Sequence, residues 1–150
     1  MLLRVFIYGM AIFLSHDVLA QSSFSRPADA IKYRQSAFQV MSFHSQRIGA
    51  MSKGDRPFDK QIAIQDAAVI ELLATQMESA FPPGTESAPS RAKPEVWQDA
   101  GQFKQKMDEF KSTARKLSEA SKTGDLNNIK AAFGQTAQSC KSCHEGFRNR

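Results

Sequence analysis

Apolar residues recur at steps of three and four in four stretches of the chain, which is the spacing of amphipathic helices. One of the two most regular stretches opens at Pro94 and Glu95, where a proline and a carboxylate both suit the first turn of a helix. Its apolar positions are Val96, Ala100, Phe103, Met107, Phe110, Ala114 and Leu117. The last stretch repeats the pattern at Leu126, Ile129, Phe133, Ala137, Cys140, His144 and Phe147. Between them, Thr123, Gly124 and Asp125 predict a turn, with Asp125 as the N-cap of the last helix.

Two further helical stretches precede these. The first opens near Ser25 and Pro27 and continues to Gly49 or slightly beyond. Its inward positions are Ala30, Ile31, Arg34, Ala37, Phe38, Met41 and Ile48. The second covers residues 59–80 and is rich in alanine. Its inward positions are Ile62, Val69, Leu73 and Met77. The prolines and the glycine at 81–90 cannot continue a helix and predict the longest loop. No stretch has a convincing strand pattern, so the sequence predicts an all-α fold.

The N-terminus has the pattern of an export signal. Arg4 precedes an apolar run over residues 5–14, which is too short to span a bilayer. The run Val18-Leu19-Ala20 follows, and signal peptidase accepts residues of these types. This predicts cleavage after Ala20. We therefore predict a signal peptide over residues 1–20 and one domain over residues 21–150. No later segment is long or apolar enough to cross a membrane.

Composition agrees with one globular domain. Cleavage would leave 130 of the 150 residues, enough to bury a core. The formal net charge stays at +5, because the signal contains one cation, Arg4, and one anion, Asp17. No block of like charge suggests a nucleic-acid partner.

The candidate chemistry lies in the run Cys140-Lys141-Ser142-Cys143-His144. C-x-x-C-H is the spacing at which two thiols attach to one haem and the next histidine ligates the iron. In a helix, Cys140 and His144 share a face and Cys143 lies beside them. One helical turn can therefore tether and ligate a single haem c. Attachment of this kind takes place outside the bacterial cytoplasm, so the motif and the export signal together predict a periplasmic protein.

Paired cysteines have two other common uses, and the rest of the sequence supports neither. A thioredoxin-like dithiol requires a nearby strand-helix-strand pattern, which this helical terminus lacks. A structural zinc site requires four ligands, and His44 is the only other cysteine or histidine beyond the predicted signal.

Arg34 and Phe38 stand out on the inward side of the first helix. A guanidinium there needs a partner to offset its desolvation, and the pattern leaves two open: a haem propionate, or a carboxylate such as Asp29 or Glu71. Phe38 lies one turn further along the same face. Such a residue is ordinarily core, but in a haem bundle a bulky apolar group can also cover one side of the iron.

The whole predicted domain resembles the cytochrome c′ family. The similarity is carried by the run from Arg26 to Gln35, by Pro94-Glu95-Val96-Trp97, by Ala131-Ala132-Phe133-Gly134 and by the run from Ser139 to His144. The resemblance implies an antiparallel up-down-up-down four-helix bundle with haem on the C-terminal helix, and cytochrome c′ is itself a standard example of that architecture.

The resemblance also implies the roles of individual residues. It implies a five-coordinate haem c with His144 as the axial ligand of the iron. Arg34 and Gln35 match residues that hold the haem propionates, and Phe38 matches the apolar position packed over the distal face. Arg148 matches a basic residue beside the proximal histidine, although a cation there also suits the C-terminal end of a helix. His44 is interpreted as a packing residue.

These residues predict a binding protein and not an enzyme. An apolar distal face suits small neutral diatomics, so the leading hypothesis is a protein that binds nitric oxide and carbon monoxide and exchanges one electron with a redox partner. The alternative is a low-spin electron-transfer cytochrome of the same fold with Met41 as the distal ligand. A peroxidase or nitrite reductase would need a polar acid-base group on that face, which the sequence does not supply. The family resemblance further implies a homodimer.

Overall fold

The computed structural model describes residues 24–86 and 90–149. The predicted signal peptide at residues 1–20 lies outside the described residues. The helices are α1 (Pro27–Lys53), α2 (Lys60–Gln76), α3 (Glu95–Gln98), α4 (Ala100–Thr123) and α5 (Leu126–Phe147), with a 3₁₀ turn at Glu78–Ala80. The only extended pairing in this part of the chain is one antiparallel bridge between Ala92 and Arg148.

The four long helices form a closed ring. Helix α1 packs on α2, α2 on α4, α4 on α5, and α5 returns to α1. The predicted all-α four-helix bundle is therefore confirmed. In the described part of the chain, no helix is long and apolar enough to cross a membrane.

Helix α1 follows the predicted pattern closely. Pro27 occupies its first turn, and Gly54 ends it in the left-handed conformation, φ 84°. The predicted inward positions are buried, with one exception. Phe38 is 36% exposed, because this part of α1 faces a cavity and not a packed neighbour.

The predicted inward side of α2 is wrong by about one position. Ile62, Val69 and Leu73 are only half-buried, and the apolar residues packed into the centre are Ala63, Ala67, Ile70 and Ala74. Of the predicted positions, only Met77 is fully buried. Small side chains let α2 approach both α1 and α4 closely, so the alanine face turns inward even though it is the less hydrophobic one.

The predicted third helix is divided in two. Asp99 leaves the helical conformation (φ −118°, ψ 56°) and its side chain accepts a hydrogen bond from the Gln102 N–H, which caps α4. The short helix α3 therefore stands apart from α4. The predicted stripe is otherwise buried from Val96 to Leu117, except for Ala100 in the new first turn.

Helix α5 starts at the predicted cap, where the Asp125 carboxylate accepts from the Asn127 N–H at 2.8 Å. Its predicted inward stripe is only partly buried. Ile129 and Phe147 are in the core, whereas Ala137 and His144 are exposed. Thr136 is buried instead, and its hydroxyl donates to the Thr113 carbonyl at 3.1 Å. The outer part of the predicted stripe lines a cavity.

Candidate haem site

One cavity of about 760 Å³ is lined mainly by α1, α4 and α5. Its volume is within the range of about 300–1,000 Å³ that cofactor pockets occupy. Helices α1 and α5 have the slightest contact among neighbouring long helices, which leaves room between them. All the residues predicted for the site line this cavity: Arg34, Gln35, Phe38, Cys140, Cys143, His144 and Arg148.

One wall is the C-terminal end of α5. Cys140 and His144 are one turn apart, and Cys143 lies beside them on the same helix. The two cysteines are partly buried against the core and carry free thiols, while the imidazole of His144 is more open to the cavity mouth. Two thiols and one imidazole therefore face a single space.

Partial removal from water favours the uncharged forms of these three groups. It raises the pKa of the Cys140 thiol, and it raises the pKa of Cys143 to about 11, with a further contribution from the neighbouring Cys140. The pKa of His144 is lowered, first by burial and then by the positive charge of Arg148. A lowered pKa favours the neutral imidazole, whose lone pair a metal ligand needs.

The opposite wall is α1, where Phe38 faces His144. The two ring centroids are 6.3 Å apart and the rings are nearly perpendicular, at 73°. Phe38 also lies 6.5 Å from the ring of Phe81. Met41 follows one turn later, is 5% exposed, and lines the same cavity. An apolar ring therefore stands directly across from the imidazole.

Arg34 is buried, with 3% of its surface exposed, and its hydrogen bonds go to the loop after α2. Nη1 donates to the Ala80 carbonyl at 3.2 Å and to the Thr85 hydroxyl at 2.8 Å. Nη2 donates to the Thr85 carbonyl and to the Ser90 hydroxyl, both at 2.7 Å. Burial lowers the pKa of the guanidinium. None of these four acceptors is a carboxylate, so the predicted pairing with Asp29 or Glu71 is wrong, and Asp29 pairs instead with Arg26 at the start of α1.

Other polar groups line the cavity near its mouth. Gln35 and Arg148 are both exposed and line the cavity, and the roles that the resemblance implies for them stay predictions. Lys32 and Arg91 also line it, and sequence reasoning did not identify them. Lys32 lies on the outer side of α1 and Arg91 lies in a loop without periodicity, so neither position carries a sequence signal that distinguishes it from an ordinary surface cation.

His44 lies outside the cavity lining. Its Nδ1 is 2.6 Å from the buried carboxylate of Asp66, which joins α1 to α2. Arg47 donates to the same carboxylate, through Nε at 2.9 Å and through Nη2. His44 therefore packs between two helices, where its ring is hydrogen-bonded to Asp66.

The cavity has the chemistry that a haem c requires. Its two thiols can form the thioethers, its imidazole can ligate the iron, and its lining is mostly apolar, as a porphyrin needs. Cations at the mouth suit two propionates. Among the described residues, no three histidine, cysteine or acidic side chains cluster so as to hold a bare metal ion.

A family comparison agrees with this geometry. The model of the Cytochrome C' family matches residues 29–148. Cytochrome c' of Rubrivivax gelatinosus is 44% identical over 128 residues, which cover 85% of this chain and 99% of that protein. Cytochrome c' of Alcaligenes xylosoxydans xylosoxydans is 42% identical over 127 residues, covering 85% and 98%.

Solved structures are similar over the same span. The crystal structure of the Rubrivivax gelatinosus protein superposes with a TM-score of 0.81 and covers 84% of this chain and 99% of its own. Structures of two single-residue variants of cytochrome c prime from Alcaligenes xylosoxidans, one a nitric oxide complex and one with carbon monoxide bound, each superpose with a TM-score of 0.79 at 42% identity, covering 85% of this chain and 99% of their own. The chain therefore belongs to the cytochrome c′ family and carries a covalently attached haem c.

Proposed function

We propose that this cytochrome is a periplasmic protein whose five-coordinate, high-spin haem binds nitric oxide and carbon monoxide. One observation carries the proposal: the ring of Phe38 stands 6.3 Å from the ring of His144, on the opposite wall of the cavity. A phenyl ring has no lone pair to offer a metal. The side chain opposite His144 is therefore an obstruction and not a ligand.

The haem motif on α5 and Arg148 just after it have defined parts in this proposal. Cys140 and Cys143 tether the haem through thioether bonds, and His144 is the axial ligand of the iron. Haem, once attached, supplies an iron that binds diatomic gases and exchanges one electron. Arg148 lines the cavity near His144, and its guanidinium can donate a hydrogen bond to a ligand on that side.

The α1 wall of the cavity, opposite His144, favours small, neutral ligands. Phe38 and Met41 can neither donate nor take up a proton at neutral pH, so the face opposite His144 lacks the acid-base group that peroxide or nitrite chemistry uses. The proposal is therefore for a gas-binding and electron-exchanging protein and not for an enzyme. The nitric oxide and carbon monoxide complexes of variants of the Alcaligenes xylosoxidans relative support the same ligand class.

A second candidate rests on Met41. Its side chain lines the same cavity and lies about one helical turn after Phe38 on α1. Its sulfur is therefore a candidate iron ligand on the side opposite His144. As an iron ligand it would give a low-spin electron carrier. Met41 is 5% exposed and packed in the core cluster, whereas Phe38 faces the imidazole directly. The packing of Met41 favours the gas-binding function.

Optical and electron paramagnetic resonance spectra of the purified protein distinguish the two functions. The proposal expects a high-spin ferric haem without a methionine-to-iron charge-transfer band. A six-coordinate, low-spin spectrum would refute it. In that case Met41→Leu, a substitution of similar volume, should convert the spectrum to high-spin if the sulfur is the ligand, while Met51→Leu serves as the matched control because Met51 is equally buried but does not line the cavity.

Export and assembly belong to the same proposal. Cleavage after Ala20 would deliver residues 21–150 to the periplasm, and mass spectrometry of the secreted protein tests it by giving the N-terminal residue. Pairing through the first two helices is supported by the large apolar side chains exposed there: Val40 and Phe43 on α1 and Leu72 on α2.

A further inference from the structure

We propose that Arg34 is a positioning residue that fixes Arg148 beside His144 through residues 90–93, which we call the clamp. Arg34 lies on α1 and Arg148 follows α5, so the two guanidinium groups belong to opposite walls of the cavity. The functional consequence rests on the proposed gas-binding role, since Arg148 is the cation on the His144 side. The structural link between Arg34 and Arg148 depends only on hydrogen bonds within this chain.

The first link joins Arg34 to Ser90. Both terminal nitrogens of Arg34 have two acceptors each, and none of the four is a carboxylate. The guanidinium also lies over the ring of Phe81, 4.8 Å from its centroid. A buried arginine that uses its whole terminal fork on one loop holds that loop rigidly. Its Nε is then the one donor left for a propionate, so most of its influence on the site passes through the loop.

The second link lies within the clamp. The Ser90 hydroxyl oxygen accepts from Arg34 Nη2 at 2.7 Å and from the Ala92 N–H at 3.1 Å. A hydroxyl oxygen has two lone pairs, so it can serve both donors at once. Ser90 therefore connects the side chain of α1 to the backbone of the clamp.

The third link joins the clamp to the segment after α5. The Lys93 N–H donates to the Phe147 carbonyl at 3.0 Å, and the Asn149 N–H donates to the Arg91 carbonyl at 2.8 Å. These two bonds flank the antiparallel bridge between Ala92 and Arg148. The Lys93 ammonium also donates to the Glu145 carbonyl at 2.9 Å, on the last turn of α5.

Arg148 is thereby held through its backbone. It adopts an extended conformation, φ −130° and ψ 131°, and its N–H donates to the His144 carbonyl at 3.1 Å. The exposed side chain of an arginine samples many rotamers, so a fixed backbone is what limits the directions in which its guanidinium can point. The chain of bonds from Arg34 through Ser90 and Ala92 sets that backbone.

The test compares three variants of the haem-loaded protein. Arg34→Met removes the guanidinium group and keeps an unbranched, apolar side chain. Ser90→Ala removes only the shared hydroxyl and leaves the other Arg34 bonds in place, so it stays informative if Arg34→Met does not fold. Arg26→Met is the control, since Arg26 is an exposed arginine just before α1 that pairs with Asp29.

The first measurement is amide hydrogen exchange at Lys93 and Asn149, which does not depend on gas binding. Exchange should be roughly tenfold faster in Arg34→Met and less accelerated in Ser90→Ala, because each loses links that keep the bridge closed. The control should match the native protein. Unchanged exchange at both amides in Arg34→Met and Ser90→Ala would overturn the inference.

The second measurement is the ratio of five- to six-coordinate nitric oxide adducts, read from optical spectra. Arg34→Met and Arg148→Met should shift this ratio in the same direction, and the double variant should shift it no further than Arg148→Met alone. Additive shifts would show that Arg34 acts independently and would overturn the coupling. A native protein that binds no nitric oxide would refute the proposed function, while the exchange rates would still decide whether the clamp exists.

Discussion

Phe38 of α1 and His144 of α5 face each other across the cavity, with ring centroids 6.3 Å apart and an interplanar angle of 73°. They are separated by more than one hundred residues in the sequence, and each projects from a different wall. The imidazole supplies a lone pair for a metal and the phenyl ring supplies bulk. This pairing makes the two faces of the site chemically unequal.

Removing that bulk should speed gas binding. We expect Phe38→Ala to bind carbon monoxide at least about tenfold faster, which corresponds to a barrier lower by ~1.4 kcal/mol. Flash photolysis or stopped-flow mixing measures the rate. Tyr33→Ala is the matched control, because Tyr33 is an aromatic residue on the same helix with the same 36% exposure. Equal rates in Phe38→Ala and the native protein would show that the ring does not obstruct the ligand.

The buried Asp66 should be important for stability. Asp66→Asn replaces one acceptor oxygen with an NH₂ group, so the negative charge and at least one of the hydrogen bonds from Arg47 and His44 are lost between α1 and α2. We expect the free energy of unfolding to fall by about 1–3 kcal/mol, as for a buried polar group left without a partner. Urea denaturation of the haem-loaded protein measures it. Asp108→Asn, at an exposed ion pair on α4, should leave the midpoint unchanged; an equal loss there would contradict a specific role for Asp66.

The thiol of Cys143 should resist ionisation before haem is attached. Its pKa is about 11 in the folded chain, against about 8.5 for a cysteine in an unfolded one. Alkylation of the haem-free chain by iodoacetamide should therefore rise with pH around 11 when folded and around 8.5 in urea.

Stability should respond to pH with a defined sign. Between the unfolded and folded pKa values, the unfolded thiol has lost its proton and the folded one has kept it, so the folded state of the haem-free chain loses stability as pH rises through that window. Cys143→Ser should reduce this loss. A folded chain that alkylates at Cys143 with a midpoint near 8.5 would show that the thiol is not buried.

Association of two copies should depend on the exposed apolar side chains of α1 and α2. Phe43 is 58% exposed and Leu72 is 63% exposed. If the proposed dimer forms through these helices, we expect Phe43→Asp and Leu72→Asp to shift it to monomer in sedimentation experiments, because a charge in an apolar interface is costly to desolvate. Arg115→Asp on the exposed side of α4 is the control. A dimer that persists in both α1 and α2 variants would place the interface elsewhere.

The sequence predicted the helices better than their boundaries and faces. The stripe from Val96 to Leu117 was correct because large apolar residues dominate that helix. The break at Asp99 was missed, since a capping carboxylate looks like any polar position until its backbone partner is known. The buried side of α2 was predicted wrongly, because close packing with two neighbours rewarded small alanines over larger apolar residues.

Sequence alone determined the covalent chemistry of the site. The spacing of Cys140, Cys143 and His144 is local, and one helical turn brings the three together whatever the rest of the chain does. The tertiary structure decided what faces them. The opposition of Phe38 to His144 and the hydrogen bonds from Arg34 to Ser90 join residues distant in sequence. Such contacts depend on how the helices and the connecting loop pack, and no periodic pattern along the chain encodes that packing.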